Sequence, residues 1–158
     1  MNKITGSNRY CGPSAISFIC GIDTDAASRI IRHKYKKTFV RATYPFQMEG
    51  ALELLGCGVS IFSAKATKAR PTIKKWLENV EHALNENNYY LIQAGHHWQV
   101  YHRGLLCHSL QKTPVSINDF DKPRRIVKRV WEVSLNKKTP TAITRKVLGD
   151  PKFFHRTA

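Results

Sequence analysis

The feature that most constrains the fold of this chain is the segment from Asn8 to Gly21, in which a cysteine stands between a turn and an apolar run. Polar and turn-forming residues lead up to Cys11, and Gly12 and Pro13 then open an apolar stretch that stops at Gly21. By the rules for helix ends, this pattern predicts a short buried helix with Cys11 in its first turn. The free N–H groups and the positive end of the helix dipole favour the thiolate, which is the nucleophilic form of cysteine. The alternative interpretation is a small buried cysteine that only packs beside a helix start.

Length and composition favour one globular domain. The chain has 158 residues of mixed apolar and charged character, which is enough to hold a core. We expect residues 1–135 to form a single domain and residues 136–158 to form a basic C-terminal tail with little tendency to order. No run approaches the roughly 18 apolar residues of a membrane span, and residues 1–6 lack the apolar core of a signal peptide. A cytoplasmic location without a membrane partner is therefore expected.

The cysteines indicate neither a zinc ribbon nor a redox motif. Four cysteines lie far apart in the chain without a Cys-x-x-Cys pair, so free thiols are expected. Histidines and a cysteine gather in one predicted hairpin, but without the ligand spacing of known zinc sites. The sequence therefore predicts no metal and no cofactor. The hairpin residues considered are His96, His97, His102, Cys107 and His108.

The net charge is the strongest bulk feature. The chain carries 26 Lys and Arg against 11 Asp and Glu, for a net charge of +15. Such an excess predicts attraction to polyanions, and DNA or RNA is the partner that we expect. One basic cluster spans residues 29–37, and a second follows residue 122, where Trp131, Phe153 and Phe154 are interleaved for base stacking. A solvated basic surface without a specific partner is the alternative. The predicted nucleic-acid-binding residues are Arg124, Arg125, Lys128, Arg129, Lys137 and Lys138.

Periodicity along the chain predicts helices first and an antiparallel sheet afterwards, which is an α+β pattern. Beyond the first helix, the expected elements are helices over 23–33, 46–56 and 71–84, strands over 57–62 and 89–93, a hairpin over 96–101 and 105–110, and an edge strand over 126–133. Residues 67–70 and 113–120 are predicted to be loops.

A thiolate nucleophile needs a base, and an imidazole held by a third polar group is the usual one. The run Cys11-Gly12-Pro13-Ser14-Ala15, followed later by His97-Trp98-x-Val100, resembles the papain-like cysteine peptidases. The front half, including Thr43 to Gly56, is similar to the peptidase domains of bacteriocin-processing ABC transporters. The back half, from His97 through Leu110, is similar to the His-Trp hairpin of the Josephin deubiquitinases. The likeness covers roughly residues 5–110.

This resemblance implies a papain-like fold, with the nucleophile at a helix start packed on an antiparallel sheet that carries the histidine. It implies Cys11 as the nucleophile and His97 as the general base. His96 competes for the second role, but neighbouring residues of a strand point to opposite faces, so only one of them can meet Cys11. The third catalytic residue, which these families usually supply as Asp or Asn on the strand after the histidine, is not present as such in this sequence. His108 stands where Josephin-like proteins have Asn, and Asp119 and Ser109 are the alternatives.

The resemblance also implies an oxyanion hole in which the backbone N–H of the nucleophile is paired with the side chain of an upstream Gln. No Gln precedes Cys11 here, and Asn8 is the nearest residue with a side-chain amide. The resemblance implies a thiol hydrolase that cleaves a peptide or isopeptide bond in a protein or peptide substrate. The same residues perform acyl transfer when an amine replaces water. The alternative is a nucleic-acid-associated basic protein that uses the papain-like scaffold, either inactive or acting as an acyltransferase on a nucleic-acid-linked substrate.

Overall fold

A computed structural model describes residues 3–62 and 70–135, and these residues build one antiparallel sheet with helices on both faces. The mixture of helices and antiparallel strands confirms the predicted α+β class. The helices are α1 (Cys11–Cys20), α2 (Thr24–Tyr35), α3 (Pro45–Leu54) and α4 (Ile73–Val80), the last followed by a short 3₁₀ turn, Glu81–Ala83. The strands are β1 (Cys57–Ile61), β2 (Tyr89–Ala94), β3 (His97–His102), β4 (Leu105–His108), β5 (Gln111–Ser116) and β6 (Val127–Leu135).

The helix boundaries follow from local residues. Gly21 ends α1 in the left-handed conformation, with φ at 70°, which glycine adopts without steric cost. The Asp23 carboxylate accepts a hydrogen bond from the Ala26 N–H at 2.7 Å and so caps α2. Pro45 begins α3, where its missing N–H costs nothing. Thr72 caps α4, which is shorter than the predicted helix.

The order of strands in the sheet is β1-β6-β2-β3-β4-β5. The last of the described strands in sequence, β6, therefore lies between β1 and β2, pairing with β1 through residues 131–135 and with β2 through residues 127–133. The strand predicted over 126–133 is present, but its predicted place at the edge of the sheet was wrong. Alternation of apolar and polar residues indicates how a strand is buried, but it does not indicate which distant strand completes its second edge.

The predicted loop over 113–120 was wrong in its first half. Residues Gln111–Ser116 form β5, which pairs with β4 at the edge of the sheet. Pro114 led to the interpretation as a loop, but proline is tolerated in an edge strand because no partner needs its missing N–H.

The sheet separates two apolar cores. Helices α1, α2 and α3 cover one face, and α4 covers the other. On β3 and its neighbours, the α1 side takes Trp98, Val100 and Cys107, whereas the α4 side takes Ala94, Tyr101 and Leu106. This division decides from which face each candidate side chain of the hairpin leaves the sheet.

Two of the predicted segments lie outside the described residues: most of the basic loop over 67–70, and the tail over 136–158. Across residues 3–62 and 70–135, no helix combines the length and the apolar character that a membrane crossing requires.

Candidate active site

Cys11 is the first residue of α1 and is half-buried as a free thiol. Tyr10 precedes it in extended conformation, and its side chain makes no capping hydrogen bond to the helix. No acidic residue lies in the first turn. The sulfur therefore lies at a helix N-terminus, and the helix has no carboxylate in its first turn to compete for the free N–H groups. Such a setting stabilises a thiolate.

Thr43 fastens this first turn to the start of β3. A Cβ added to Gly12 would collide with the Thr43 Oγ1 atom and would lie 2.8 Å from its Cγ2, so only glycine allows this approach. From the other side, the Trp98 Nε1–H donates to Thr43 Oγ1 at 2.9 Å, with the Thr43 carbonyl oxygen at 3.3 Å. Because Trp98 follows His97 directly, Thr43 ties the residue after Cys11 to the residue after His97.

His97 is the first residue of β3 and is exposed at the end of the sheet. It pairs with Ala94 across a two-residue turn formed by Gly95 and His96, with Gly95 at φ +59°. Trp98, the next residue, is joined through Thr43 to the first turn of α1, so His97 lies at the end of the sheet where α1 begins. Within the described ranges, no hydrogen bond joins the Cys11 sulfur to His97. His96 is an exposed turn residue and not the first residue of a strand.

Arg125 lies beside the turn before His97 and within electrostatic reach of both candidates. Its aliphatic stem passes Gly95 at the turn before His97, with Cδ 3.9 Å from the position of a Cβ on that glycine. Its backbone is fixed to α4, because the Ile73 N–H donates to the Arg125 carbonyl at 2.9 Å. The Nη1 atom is buried and has no hydrogen-bond partner among the residues that the structure describes. The side chain therefore places an unused donor at this end of the sheet.

Electrostatics connect Arg125 with both candidates. Burial lowers the pKa of Arg125, whereas the charges of Asp121 and Cys11 raise it. Although the side chain is exposed overall, partial burial of the ring lowers the pKa of His97 below its usual 6.5, and Arg125 is the first of the charged neighbours that lower it further. A lowered pKa favours the neutral imidazole, which is the form that accepts a proton.

His108 is buried on β4 and makes two hydrogen bonds through its ring. Its Nδ1 accepts from the Leu110 N–H at 3.2 Å, which leaves the proton on Nε2 to donate to Asp121 Oδ1 at 2.6 Å. The ring also packs edge-on against Phe120. The positively charged form of His108 is among the influences that lower the pKa of His97, so the two residues are within electrostatic reach of each other. In this arrangement both nitrogens of His108 are occupied, and neither accepts a hydrogen bond from His97.

The three remaining site residues predicted from the sequence, Asn8, Asp119 and Ser109, have partners of their own. Asn8 uses its Oδ1 to accept the Tyr10 N–H at 3.0 Å and lines a groove beside α2. Asp119 accepts from Ser116 Oγ at 3.0 Å and so closes the turn after β5. Ser109 is buried next to His108. Within the described ranges, none of these three residues hydrogen-bonds to Cys11 or His97, and their predicted roles stay predictions.

The predicted nucleic-acid residues are spread over different environments. Arg124, Lys128 and Arg129 are exposed, whereas Arg125 is half-buried at the candidate site. Trp131 cannot stack on a base, because it is buried and its Nε1–H donates to Glu49 Oε1 at 2.7 Å. That part of the prediction was wrong. Lys137, Lys138, Phe153 and Phe154 lie outside the described residues.

The histidines and the cysteine of the hairpin face different surroundings. His102 Nδ1 lies 2.8 Å from the Asn88 carbonyl oxygen, and its ring stacks on Tyr89 at 3.9 Å. Cys107 is fully buried on the α1 side, and burial strongly raises the pKa of its thiol. No three His, Cys, Asp or Glu side chains of the described ranges come together as a metal-binding group.

Comparison of the sequence with known protein families, with curated proteins and with solved structures finds no match. The site is therefore defined by its geometry. The sequence did not identify three residues of this site. Thr43 joins α1 to β3, Asp121 is the hydrogen-bond partner of His108, and Arg125 is an electrostatic neighbour of Cys11. Asp121 and Arg125 lie in the loop before β6, and no periodic pattern relates that loop to α1.

Proposed function

We propose that this protein is a papain-like thiol hydrolase that cleaves an amide bond in a peptide or isopeptide, with Cys11 as the nucleophile and His97 as the general base. The observation that carries the proposal is the connection through Thr43, which holds the first turn of α1 against the start of β3. A helix-initial cysteine and a strand-initial histidine at one end of a sheet are the arrangement that this chemistry needs.

In the proposed reaction, each of these groups has one role. The Cys11 sulfur attacks the carbonyl carbon while its proton passes to the neutral His97 ring. The resulting oxyanion takes hydrogen bonds from backbone N–H groups at the start of α1. The C–N bond then breaks, and His97 returns the proton to the leaving amine, which gives a thioester on Cys11. Water attacks the thioester, releases the carboxylic acid and restores the thiol. An amine in place of this water makes the same protein an acyltransferase.

Arg125 supports this chemistry as a second donor. No Gln precedes Cys11, and Asn8 is directed towards the groove beside α2. The Arg125 Nη1 atom is buried without a partner in the described residues, and the guanidinium lies within electrostatic reach of Cys11. A cation there stabilises both the thiolate and the oxyanion, and the loss of one such donor typically costs about 10²–10³ in rate. The His108–Asp121 pair lies within electrostatic reach of His97 but does not accept a hydrogen bond from it.

The test measures the rate of Cys11 alkylation by iodoacetamide between about pH 5 and 9, with mass spectrometry of the Cys11 peptide as the readout. This readout leaves the other three cysteines in place, so the buried Cys107 need not be changed. We expect Cys11 to react readily at about pH 6–7, and His97→Ala to slow it at least about tenfold at pH 7. The matched control is His96→Ala, which removes the adjacent exposed ring and should leave the rate unchanged.

Two outcomes overturn the proposal. One is a Cys11 that reacts only above about pH 8 whether or not His97 is present, because that is the behaviour of an ordinary thiol. The other is an equal effect of His96→Ala and His97→Ala, since a general electrostatic change near the turn would then explain the data. With the expected result, the same variants are assayed on peptide and isopeptide substrates, where Cys11→Ala must abolish turnover.

A further inference from the structure

The connection between α2 and α3, together with the first turn of α3, exposes three aromatic rings within eight residues. Phe39 is 59% exposed, Tyr44 is 63% exposed and Phe46 is 58% exposed. Large aromatic side chains usually lie in cores, and isolated exposed ones are common, but a group of three on one short stretch is an unusual surface. Val40, which lies between Phe39 and Tyr44, is buried, and the exposed apolar residue between them is the small Ala42. The exposed apolar surface of this connection is therefore mainly aromatic.

These rings are held in place. Tyr44 and Phe46 are nearly parallel, with their planes at 4° and their centroids 6.1 Å apart. Tyr35 packs edge-on against Phe46 at 5.5 Å, and its hydroxyl donates to the Phe46 carbonyl at 2.8 Å. The Arg41 guanidinium lies over the Phe39 ring, 4.9 Å from its centroid. Flat faces that are ordered before binding lose little conformational entropy when a planar ligand stacks on them.

Positive charge surrounds the rings. Between Asp25 and Glu49 the chain has no acidic residue, and it carries six cations: Arg29, Arg32, Lys34, Lys36, Lys37 and Arg41. Phe39 also borders a groove of about 260 Å³ that Arg29 and Arg32 line from α2. The Nε atom of Arg32 is buried and has no hydrogen-bond partner among the described residues. Among the described residues that line the groove, only Asp25 is acidic, and its carboxylate accepts hydrogen bonds from the Ser7 N–H and hydroxyl, each at 2.8 Å.

We propose that this aromatic-basic surface, defined by Lys36, Phe39, Arg41, Tyr44 and Phe46, binds single-stranded nucleic acid. Unpaired bases stack on the exposed rings, and Lys36 and Arg41 contact the phosphates between them. Aromatic faces alternating with cations are how proteins hold single strands without reading their sequence. The net charge of +15 attracts the strand to the protein.

The chemistry favours a single strand over the other polyanions. A duplex keeps its bases stacked on one another, so it offers phosphates but no free base faces to Tyr44 and Phe46. An acidic peptide matches the charge, but its carboxylates and aliphatic side chains make no use of flat rings that alternate with cations. Base stacking is worth about 1–3 kcal/mol per base, or about 5- to 150-fold in affinity, so the rings decide between these ligands.

The test measures the binding of a fluorescein-labelled 15-nucleotide oligothymidylate by fluorescence anisotropy, at two or more salt concentrations. Leucine substitutions keep an apolar side chain and remove only the flat ring. We expect Tyr44→Leu and Phe46→Leu each to weaken binding at least about fivefold, with the salt dependence unchanged. Arg41→Gln should weaken binding and reduce the slope of log affinity against log salt by about 0.7.

The matched controls lie elsewhere on the surface. Leu110→Ala changes an exposed apolar residue after β4, and Lys74→Gln removes an exposed cation from α4. Both should bind the oligonucleotide as the wild type does. Circular dichroism melts confirm that every variant is folded. The readout requires no catalytic activity, so it is independent of whether Cys11 is a nucleophile.

Three results overturn the inference. Equal binding of a 15-base-pair duplex and the single strand would show attraction to charge alone. Unchanged affinity in Tyr44→Leu and Phe46→Leu would move the binding site away from the rings. Competition by polyglutamate as strong as that by unlabelled oligothymidylate, compared at equal charge, would assign the surface to acidic proteins instead.

Discussion

The closest approach at the candidate site, between Gly12 and Thr43, gives a prediction whose size follows from the structure. In Gly12→Ala, the new Cβ collides with Thr43 Oγ1 and lies 2.8 Å from Cγ2 and 3.1 Å from Cβ of the same residue. Thr43 cannot easily turn away, because its side chain is β-branched and its hydroxyl holds the Trp98 Nε1–H. Overpacking of this kind costs about 1–3 kcal/mol, and the better helix propensity of alanine returns less than about 1 kcal/mol. We expect a net loss of about 1–2 kcal/mol in the free energy of unfolding.

A second substitution tests the cause. Thr43→Ala removes the colliding Oγ1 and Cγ2 atoms. Alone, it costs about 0.5–1.5 kcal/mol through the lost hydrogen bond to Trp98, whose Nε1–H keeps the weaker contact to the backbone carbonyl at 3.3 Å. In the double variant the new methyl group occupies the space that Thr43 vacates. The double variant should therefore lose less stability than the sum of the single ones, with a coupling energy of about 1 kcal/mol or more.

The assay is urea unfolding of the wild type, the two single variants and the double variant, combined with the iodoacetamide reactivity of Cys11 in each. Gly12→Ala should change the reactivity of Cys11, because the clash displaces the first turn of α1, and the double variant should recover part of it. Additive losses of stability in the double variant, or a Gly12→Ala protein as stable as the wild type, would refute the close packing of Gly12 against Thr43.

Two further predictions concern the groups around His97. Asp121→Ala should lower the free energy of unfolding by about 1–2 kcal/mol, because it removes the 2.6 Å hydrogen bond between the buried His108 and a partly exposed carboxylate. Asp121→Asn keeps an acceptor and should cost less. Urea unfolding of both variants measures the difference. Arg125→Gln should raise the pKa of His97, because it removes a cation that lowers this pKa, and Arg124→Gln, at an exposed position, should change it much less. NMR titration of the His97 ring protons checks both variants. An unchanged His97 pKa in Arg125→Gln would contradict the inference that the Arg125 and His97 side chains lie close together.

The elements that the sequence predicted best are those with local signals. The start of α1 at Cys11 and its end at Gly21 follow from Pro13 near the first turn and a glycine that adopts a positive φ. The hairpin of β3 and β4 follows from two apolar runs around Gly104, which also has a positive φ. In each case the residues that decide the structure lie within a few positions of one another.

The elements that the sequence did not predict depend on distant contacts. The place of β6 inside the sheet requires β1 as a partner on its second edge, and no pattern within β6 shows this. The role of Thr43 depends on Gly12 and Trp98, which belong to two other elements. Asp121 and Arg125 belong to an irregular loop, where neither helical nor strand periodicity assigns a face. Tertiary packing alone brings these residues to the candidate site.

Thr43 also relates the two proposals to each other. It lies between Arg41 and Tyr44 of the aromatic-basic surface, and it contacts Gly12, the residue after Cys11. A nucleic-acid strand stacked on Tyr44 and Phe46 would therefore pass close to the first turn of α1. Its phosphates would bring negative charge towards a site that needs a thiolate. The phosphates would disfavour the thiolate, which slows both reagents, and would also repel an anionic reagent. Saturating oligothymidylate should therefore slow the alkylation of Cys11 by anionic iodoacetate more than by neutral iodoacetamide. An equal effect on both reagents would mean that the phosphates do not repel the reagent at Cys11, and no effect on either would mean that the two sites are separate.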